Sequence, residues 1–367
     1  MDFSALTTFL DALKGKKSIP SVDCAVSLQG QRVYRHSANA GQDDLYFLYS
    51  VSKVITCTAA AQLLERGKLL LTDEICEYLP EYRDMAVKRA DGQLEEAQTR
   101  ITVRHLFTMS AGLNYNLEAP SIQKAVQESG GRAPTREIAR AIAQEPLDFE
   151  PGTHWQYSLC HDVLAALVEA VSQTRFADYV REHIFAPLGM ENSTYHPTPE
   201  QFARIAPQFR YDDAACEAVP IPKAARHVLG PEYDSGGAGV VSCVSDMLAF
   251  AQALTNGGTG ANGARILSPR TVDLMRMNQL NEAQMRDFNW IQMAGYGYGL
   301  GVRTMVSPAQ GGALSAIGEF GWGGAAGSYI MIDPDHRLCA FYAQHMLNNQ
   351  EPYVHPRLRN LIYQSVF

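Results

Sequence analysis

The chain has 367 residues, enough for about two domains of ordinary size. With 46% hydrophobic and 19% charged residues it has ample material for a packed core, which excludes an intrinsically disordered chain. Its 31 Lys and Arg against 39 Asp and Glu leave a formal charge of −8; without Lys/Arg runs, such a chain is a poor partner for nucleic acid or an anionic membrane surface.

Phe3, Leu6, Phe9, Leu10 and Leu13 fall at helical spacing and predict an amphipathic first helix. No basic leader with a long apolar core precedes it, and no run approaches the ~20 apolar residues of a membrane span. The seven cysteines are scattered, odd in number and lack a C-x-x-C pair, which fits reduced thiols in a cytoplasmic protein. Asp23–Leu28 and Val33–His36 read as a hairpin around Gln29-Gly30-Gln31. An apolar aromatic run, Leu45-Tyr46-Phe47-Leu48-Tyr49, leads into a helix from about Ser50 to Arg66, stopped by Gly67. From there to Tyr233 helical patterns dominate: Val103–Ser110 capped by Thr102 and ended by Gly112, then Thr135–Gln144, Ser158–Val171 and Arg175–Phe185, with turns at Glu150–Thr153 and Pro187–Gly189. Beyond it, Ser245–Thr255 and Leu358–Val366 read as helices. Tyr329–Ile332 and Leu338–Gln344 read as strands joined at Asp333–His336. The expected fold class is α+β, with an antiparallel sheet flanked by helices. Residues 1–70 and 234–367 would build one mixed domain, residues 71–233 a mostly helical one, and the site would lie in the cleft between them.

The sharpest chemical signal is Ser50-Val51-Ser52-Lys53. A Ser and a Lys three apart at a helix start share one face, and the serine sits at the positive end of the helix dipole. A lysine that is desolvated and partly neutral can take the hydroxyl proton and make the serine a nucleophile. A second copy, Ser121-Ile122-Gln123-Lys124, lies in a polar segment that reads as surface. Only Ser50 follows an apolar run and opens a helix with a buried character, the dry seat a nucleophile needs.

Five segments carry a family resemblance: LYSVSKVITCTAAAQLLERGKLLLTDEICEYLP (48–80), ITVRHLFTMSAGL (101–113), YSLCHDVLAALVEAVSQTRFADYVREHIFAPLGM (157–190), SGGAGVVSCVSDMLAFAQALTNGG (235–258) and GWGGAAGSYIMIDP (321–334). In this order they resemble the serine β-lactamase and penicillin-binding-protein-like superfamily, in its class C branch. The resemblance implies a β-lactamase-like fold and a Ser50 acyl-enzyme. It implies Lys53 and Tyr157 as proton carriers, and the backbone N–H groups of Ser50 and Ala325 as the oxyanion hole. The family's Tyr-x-Asn reads Tyr157-Ser158-Leu159, so the amide is missing. Asn114-Tyr115-Asn116 matches it literally but falls after the 101–113 block and is read as a decoy. The family's Lys-Thr-Gly is replaced by Trp322-Gly323-Gly324, which resembles the family VIII carboxylesterases. These three residues are the implied substrate-binding strand, and the lost lysine removes a binder of substrate carboxylates. The implied activity is hydrolysis of short-chain esters, with weak β-lactam hydrolysis, D-amino-acid peptidase action and acyl transfer as alternatives. A binding or sensing protein that kept the fold and lost turnover is the alternative outside catalysis. The implied partner is a small-molecule ester or lactam.

The remaining candidates read as structural. Gly258–Gly263 fits G-x-G-x-x-G but follows a helix, so it reads as a loop. The histidines lack paired ligand spacing, so neither metal nor cofactor is expected. His105, His161 and His345 read as hydrogen-bonded structural residues, and Asp162 as bonded within the helical lobe. Tyr296, Tyr298, Phe320 and Trp290 read as core except where they approach Trp322.

Overall fold

The computed structural model describes residues 1–42, 44–224 and 228–367. Helix α1 (Ser4–Lys17) forms where the apolar spacing places it, burying Leu6, Leu10 and Leu13. Strands β1 (Val22–Leu28) and β2 (Gln31–Ala38) follow as an antiparallel hairpin. Its turn is Gln29-Gly30, both at positive φ (53° and 80°), the two-residue geometry whose twist matches that of the flanking strands.

The helix expected from Ser50 begins as a tight 3₁₀ turn, Tyr49–Val51, and continues as α2 (Ser52–Glu65). Every residue from Ser52 to Leu63 is buried, so α2 has no solvent face and runs through the middle of the molecule. It ends at Gly67 (φ 64°), where the Gly67 and Lys68 amides donate to the Leu64 and Leu63 carbonyls at 3.0 and 2.9 Å and close the last turn. Helix α3 (Cys160–Ser172) packs against it.

The central sheet has seven strands in the order β2-β1-β7-β6-β5-β4-β3, where β3 is Tyr296–Tyr298, β4 Arg303–Met305, β5 Phe320–Gly323, β6 Tyr329–Asp333 and β7 Leu338–Ala343. All neighbours are antiparallel. Its first two strands come from one end of the sequence and the other five from the opposite end. Alternate residues point to opposite faces. On β7, Leu338, Ala340 and Tyr342 join one core with α1 and α5 (Glu351–Val366), while Cys339, Phe341 and Ala343 join the other with α2 and α4 (Val244–Thr255). An antiparallel sheet covered by helices on both faces is the α+β class expected.

Three readings are corrected. Helix α5 begins at Glu351 and not at Leu358, because Pro352 sits in the first turn, where its missing N–H costs nothing. The helix expected over Val103–Ser110 ends at Phe107. The block read as helical also carries two hairpins, Ala86–Lys88 with Leu94–Glu96 and Gln208–Asp212 with Glu217–Ile221. The first hairpin's strands, three residues each, are too short to show a pattern; in the second, Phe209 and Tyr211 alternate with polar residues and pack against a core cluster, a signal that the helical reading passed over. All seven cysteines are free, six buried and Cys216 exposed. No helix among the described residues is long and apolar enough to cross a membrane.

Candidate active site

The run Leu45–Tyr49 is buried. Tyr46 and Phe47 pair with Ser242 and Val241, and the Leu48 amide donates to the Val240 carbonyl at 2.9 Å. Tyr49 then adopts φ 48°, a left-handed conformation costly for a bulky residue and characteristic of functional turns. Burial of its ring and a hydrogen bond between its phenol and the Gln208 side chain hold it there. This bend delivers Ser50, half-buried, to the head of α2.

One turn on, Lys53 is completely buried. Its Nζ donates to Ser50 Oγ at 3.2 Å, to the Gly237 carbonyl at 2.8 Å and to Tyr115 Oη at 3.5 Å. Burial opposes the charge, but Tyr115, Tyr157 and Asp162 outweigh it and hold the ammonium well above its usual pKa.

Tyr157 lies just before α3, with Oη 2.6 Å from Ser50 Oγ. Lys53 Nζ is 4.7 Å from its ring centre. The ring stands between two others: Tyr115 at 5.5 Å and 9°, and Trp322 at 5.8 Å and 20°. Trp322, on β5, is buried, and its Nε1–H donates to Tyr157 Oη at 3.4 Å. The indole thus faces the phenol.

Gly323 and Gly324 explain how β5 comes so near. A Cβ on Gly324 would lie 2.3 Å from the Leu48 carbonyl oxygen, so only glycine lets the strand end rest on the segment that leads to Ser50. A Cβ on Gly323 would touch His355 and Glu351. Ser328 Oγ donates to the same Leu48 carbonyl at 2.9 Å. Asn349 Nδ2 donates to the carbonyls of Gly324 and Ala325 at 3.0 and 2.9 Å. This pins the exposed Ala325 turn, whose amide has no partner among the described residues.

Sequence reasoning missed Tyr115. The Leu159 amide donates to the Asn114 carbonyl and the Gln156 amide to the Met109 carbonyl, so the segment read as a decoy runs beside Tyr157. Its literal Tyr-x-Asn pattern was the available signal. Trp155 was missed too; with Phe288, Trp290 and Tyr298 it forms an aromatic cluster behind Tyr157 and Trp322. Trp290 is half-buried there, while Tyr296 and Phe320 belong to the interior.

The other candidates stay apart from this chemistry. Burial lowers His105 to about 4, His161 to about 3 and His345 to about 4. His105 Nδ1 accepts from the Thr102 amide, while His161 and His345 donate to the carbonyls of Phe107 and Ala206. Lys124 pairs on the surface with Glu128. Residues 258–263 form a loop closed by Gly260 and Gly263. Among the described residues no cluster could hold a metal ion.

The beta-lactamase family model matches residues 6–364. The chain belongs to the beta-lactamase family. Within the family, it is 31% identical over 372 residues to esterase EstB of Burkholderia gladioli, covering 91% of this chain and 88% of the other. It is 26% identical to monacolin J acid methylbutanoyltransferase of Aspergillus terreus, over 86% and 79% of the two chains. Its fold matches the solved structure of EstCE1, a hydrolase with promiscuous acyltransferase activity, with a TM-score of 0.79, 24% identity and 98% of each chain covered.

Proposed function

We propose that this chain is a serine hydrolase acting on short-chain carboxylic esters through a Ser50 acyl-enzyme. The observation that carries this reading is the seat of Ser50 Oγ, 2.6 Å from the Tyr157 phenol and 3.2 Å from the Lys53 ammonium. In the reacting form Tyr157 is the phenolate, with the Lys53 ammonium 4.7 Å from its ring centre and the Trp322 N–H directed at its oxygen. It takes the Ser50 proton as Oγ attacks the ester carbonyl. The amides of Ser50 and Ala325 receive the oxyanion. The tetrahedral species collapses, the C–O bond of the alcohol breaks, and Tyr157 returns the proton to the leaving alkoxide. Water then adds to the acyl-enzyme by the same route, releasing the acid and restoring Ser50.

Esters are favoured over β-lactams because an indole stands where a carboxylate-binding ammonium would be expected. Similarity to an esterase supports this choice. Acyl transfer is the second reading, in which an alcohol replaces the water. The aromatic cluster about Tyr157 and the similarity to an acyltransferase favour it.

Intact-mass measurement after incubation with a fluorophosphonate tests the nucleophile. One adduct is expected on the wild type and none on Ser50→Ala; an undiminished adduct on the variant sinks the assignment. Turnover of p-nitrophenyl butyrate is expected to exceed that of nitrocefin, and the reverse order would make the chain a β-lactamase. Adding an acceptor alcohol, with the new ester measured against free acid, separates transfer from hydrolysis.

A further inference from the structure

Lys53 is enclosed, and its charge state depends on what surrounds it. From its own helix comes the Cys57 thiol, pushed up by burial. From the 114–116 and 157 segments come the phenols of Tyr115 and Tyr157. From α3 come Cys160, pushed up to about 11 by burial, and His161, held neutral by it. The 233–237 segment adds the Tyr233 phenol, also raised by burial. Among these described groups, Asp162 is the one carboxyl.

Asp162 is 2% exposed, in the first turn of α3. Three donors crowd onto its Oδ1: Tyr233 Oη at 2.6 Å, Ser235 Oγ at 2.7 Å and the Gly237 amide at 3.2 Å. Its Oδ2 is buried with no hydrogen-bond partner, an arrangement that costs free energy unless a charge compensates it. A Cβ on Gly237 would lie 2.5 Å from that Oδ2 and 3.3 Å from Lys53 Nζ. Gly237 is thus a gap through which carboxylate and ammonium face each other, while its carbonyl accepts directly from Lys53.

We infer that Asp162 is a positioning residue that keeps Lys53 an ammonium, and so leaves Tyr157 as the group that receives the Ser50 proton. The inference rests on the Ser50 reading above. Three donors on Oδ1 fix the carboxylate and turn Oδ2 toward the lysine. A side chain at residue 237 would put its Cβ 2.5 Å from Oδ2 and 3.3 Å from Lys53 Nζ, and glycine keeps that space clear. With that anion gone, only the phenols of Tyr115 and Tyr157 and the Gly237 carbonyl remain to oppose burial, and loss of the Lys53 proton becomes easier.

The test is the pH dependence of fluorophosphonate labelling rate, from about pH 6 to about pH 11, a range that spans the ordinary lysine and tyrosine values. Wild type, Asp162→Asn and Gly237→Ala are compared, with thermal melting and the labelled fraction recorded for each. Activity that requires the ammonium falls on the alkaline side as Lys53 loses its proton. Because Lys53 is held well above its usual value, the wild type is expected to show no alkaline fall within this range, and Asp162→Asn is expected to bring the limb down into it by about 1–3 pH units, the shift a nearby opposite charge produces. Gly237→Ala, which drives a methyl between the groups, is expected to move it the same way and keeps the test alive if the first variant fails to fold. A folded variant whose limb superimposes on the wild type, or moves upward, overturns the inference. So does loss of labelled fraction without any movement of the limb, the mark of a merely structural role. A wild type that takes no label removes the Ser50 reading and this inference with it, whereas normal labelling with an unmoved limb removes this inference only.

Discussion

Two of the buried charge clusters among the described residues are built differently. Between β4, β6 and α5, Arg303 and Glu319 are both wholly buried and paired at 2.8 Å. Glu319 uses both oxygens, one for Arg303 and one for the Tyr296 phenol. Arg303 also donates to the Tyr329 phenol and the Ile330 carbonyl, and Arg359 approaches the same phenol at 3.1 Å. At Ser50, Asp162 instead gathers three donors on one oxygen and leaves the other without a partner beside Lys53. A saturated carboxylate ties a sheet to a helix. An unsaturated one keeps a field directed at a neighbour, and that field is available to chemistry.

The comparison is broken or sharpened by substitutions. The largest effect is expected from Ser50→Ala, with ester turnover falling by about 10⁴-fold or more while the melting temperature stays close to wild type. Retained turnover would place the nucleophile elsewhere. Tyr157→Phe is expected to lower kcat by about 10²–10⁴-fold, since it removes the proton carrier and little packing; an unchanged kcat would return that role to Lys53. In the other cluster, Glu319→Gln is expected to cost about 3–5 kcal/mol of stability in denaturant unfolding, because it leaves Arg303 buried without its anion. The labelling rate of the folded fraction should not move. A slowed rate with intact stability would erase the distinction between the clusters. Trp322→Phe keeps the stacking on Tyr157 and loses the indole N–H. A hydrogen bond to a charged oxygen contributes about 1.5–3 kcal/mol, so a roughly tenfold or greater loss in kcat is expected, with KM for a neutral ester little changed. A change confined to KM would make Trp322 a substrate contact.

Much of the framework was legible because it is written in local spacing. The Ser50–Lys53 interval places two side chains on one face wherever the chain turns helical, and the structure sets them 3.2 Å apart. Residues 329–332 and 338–343 are continuous apolar runs because both faces of the sheet are covered. Tyr115 was misplaced for an equally physical reason. Its position follows from backbone bonds joining 109–114 to 156–159, a pairing that no periodicity records. Strands β3 and β4, three residues each, are too short to show a pattern.

By itself, then, the sequence determined most of the local elements, the pairing of a serine with a lysine one helical turn away, and the presence of Trp322-Gly323-Gly324. Only the tertiary structure decided what surrounds the lysine, because its burial and its neighbours Tyr115, Tyr157, Asp162 and Gly237 come from far along the chain. Only the tertiary structure made Trp322 a partner of Tyr157, since the meeting depends on Gly324 letting β5 rest on Leu48. Spacing along a chain sets which side chains share a face, whereas the solvation of a charge is set by everything that surrounds it.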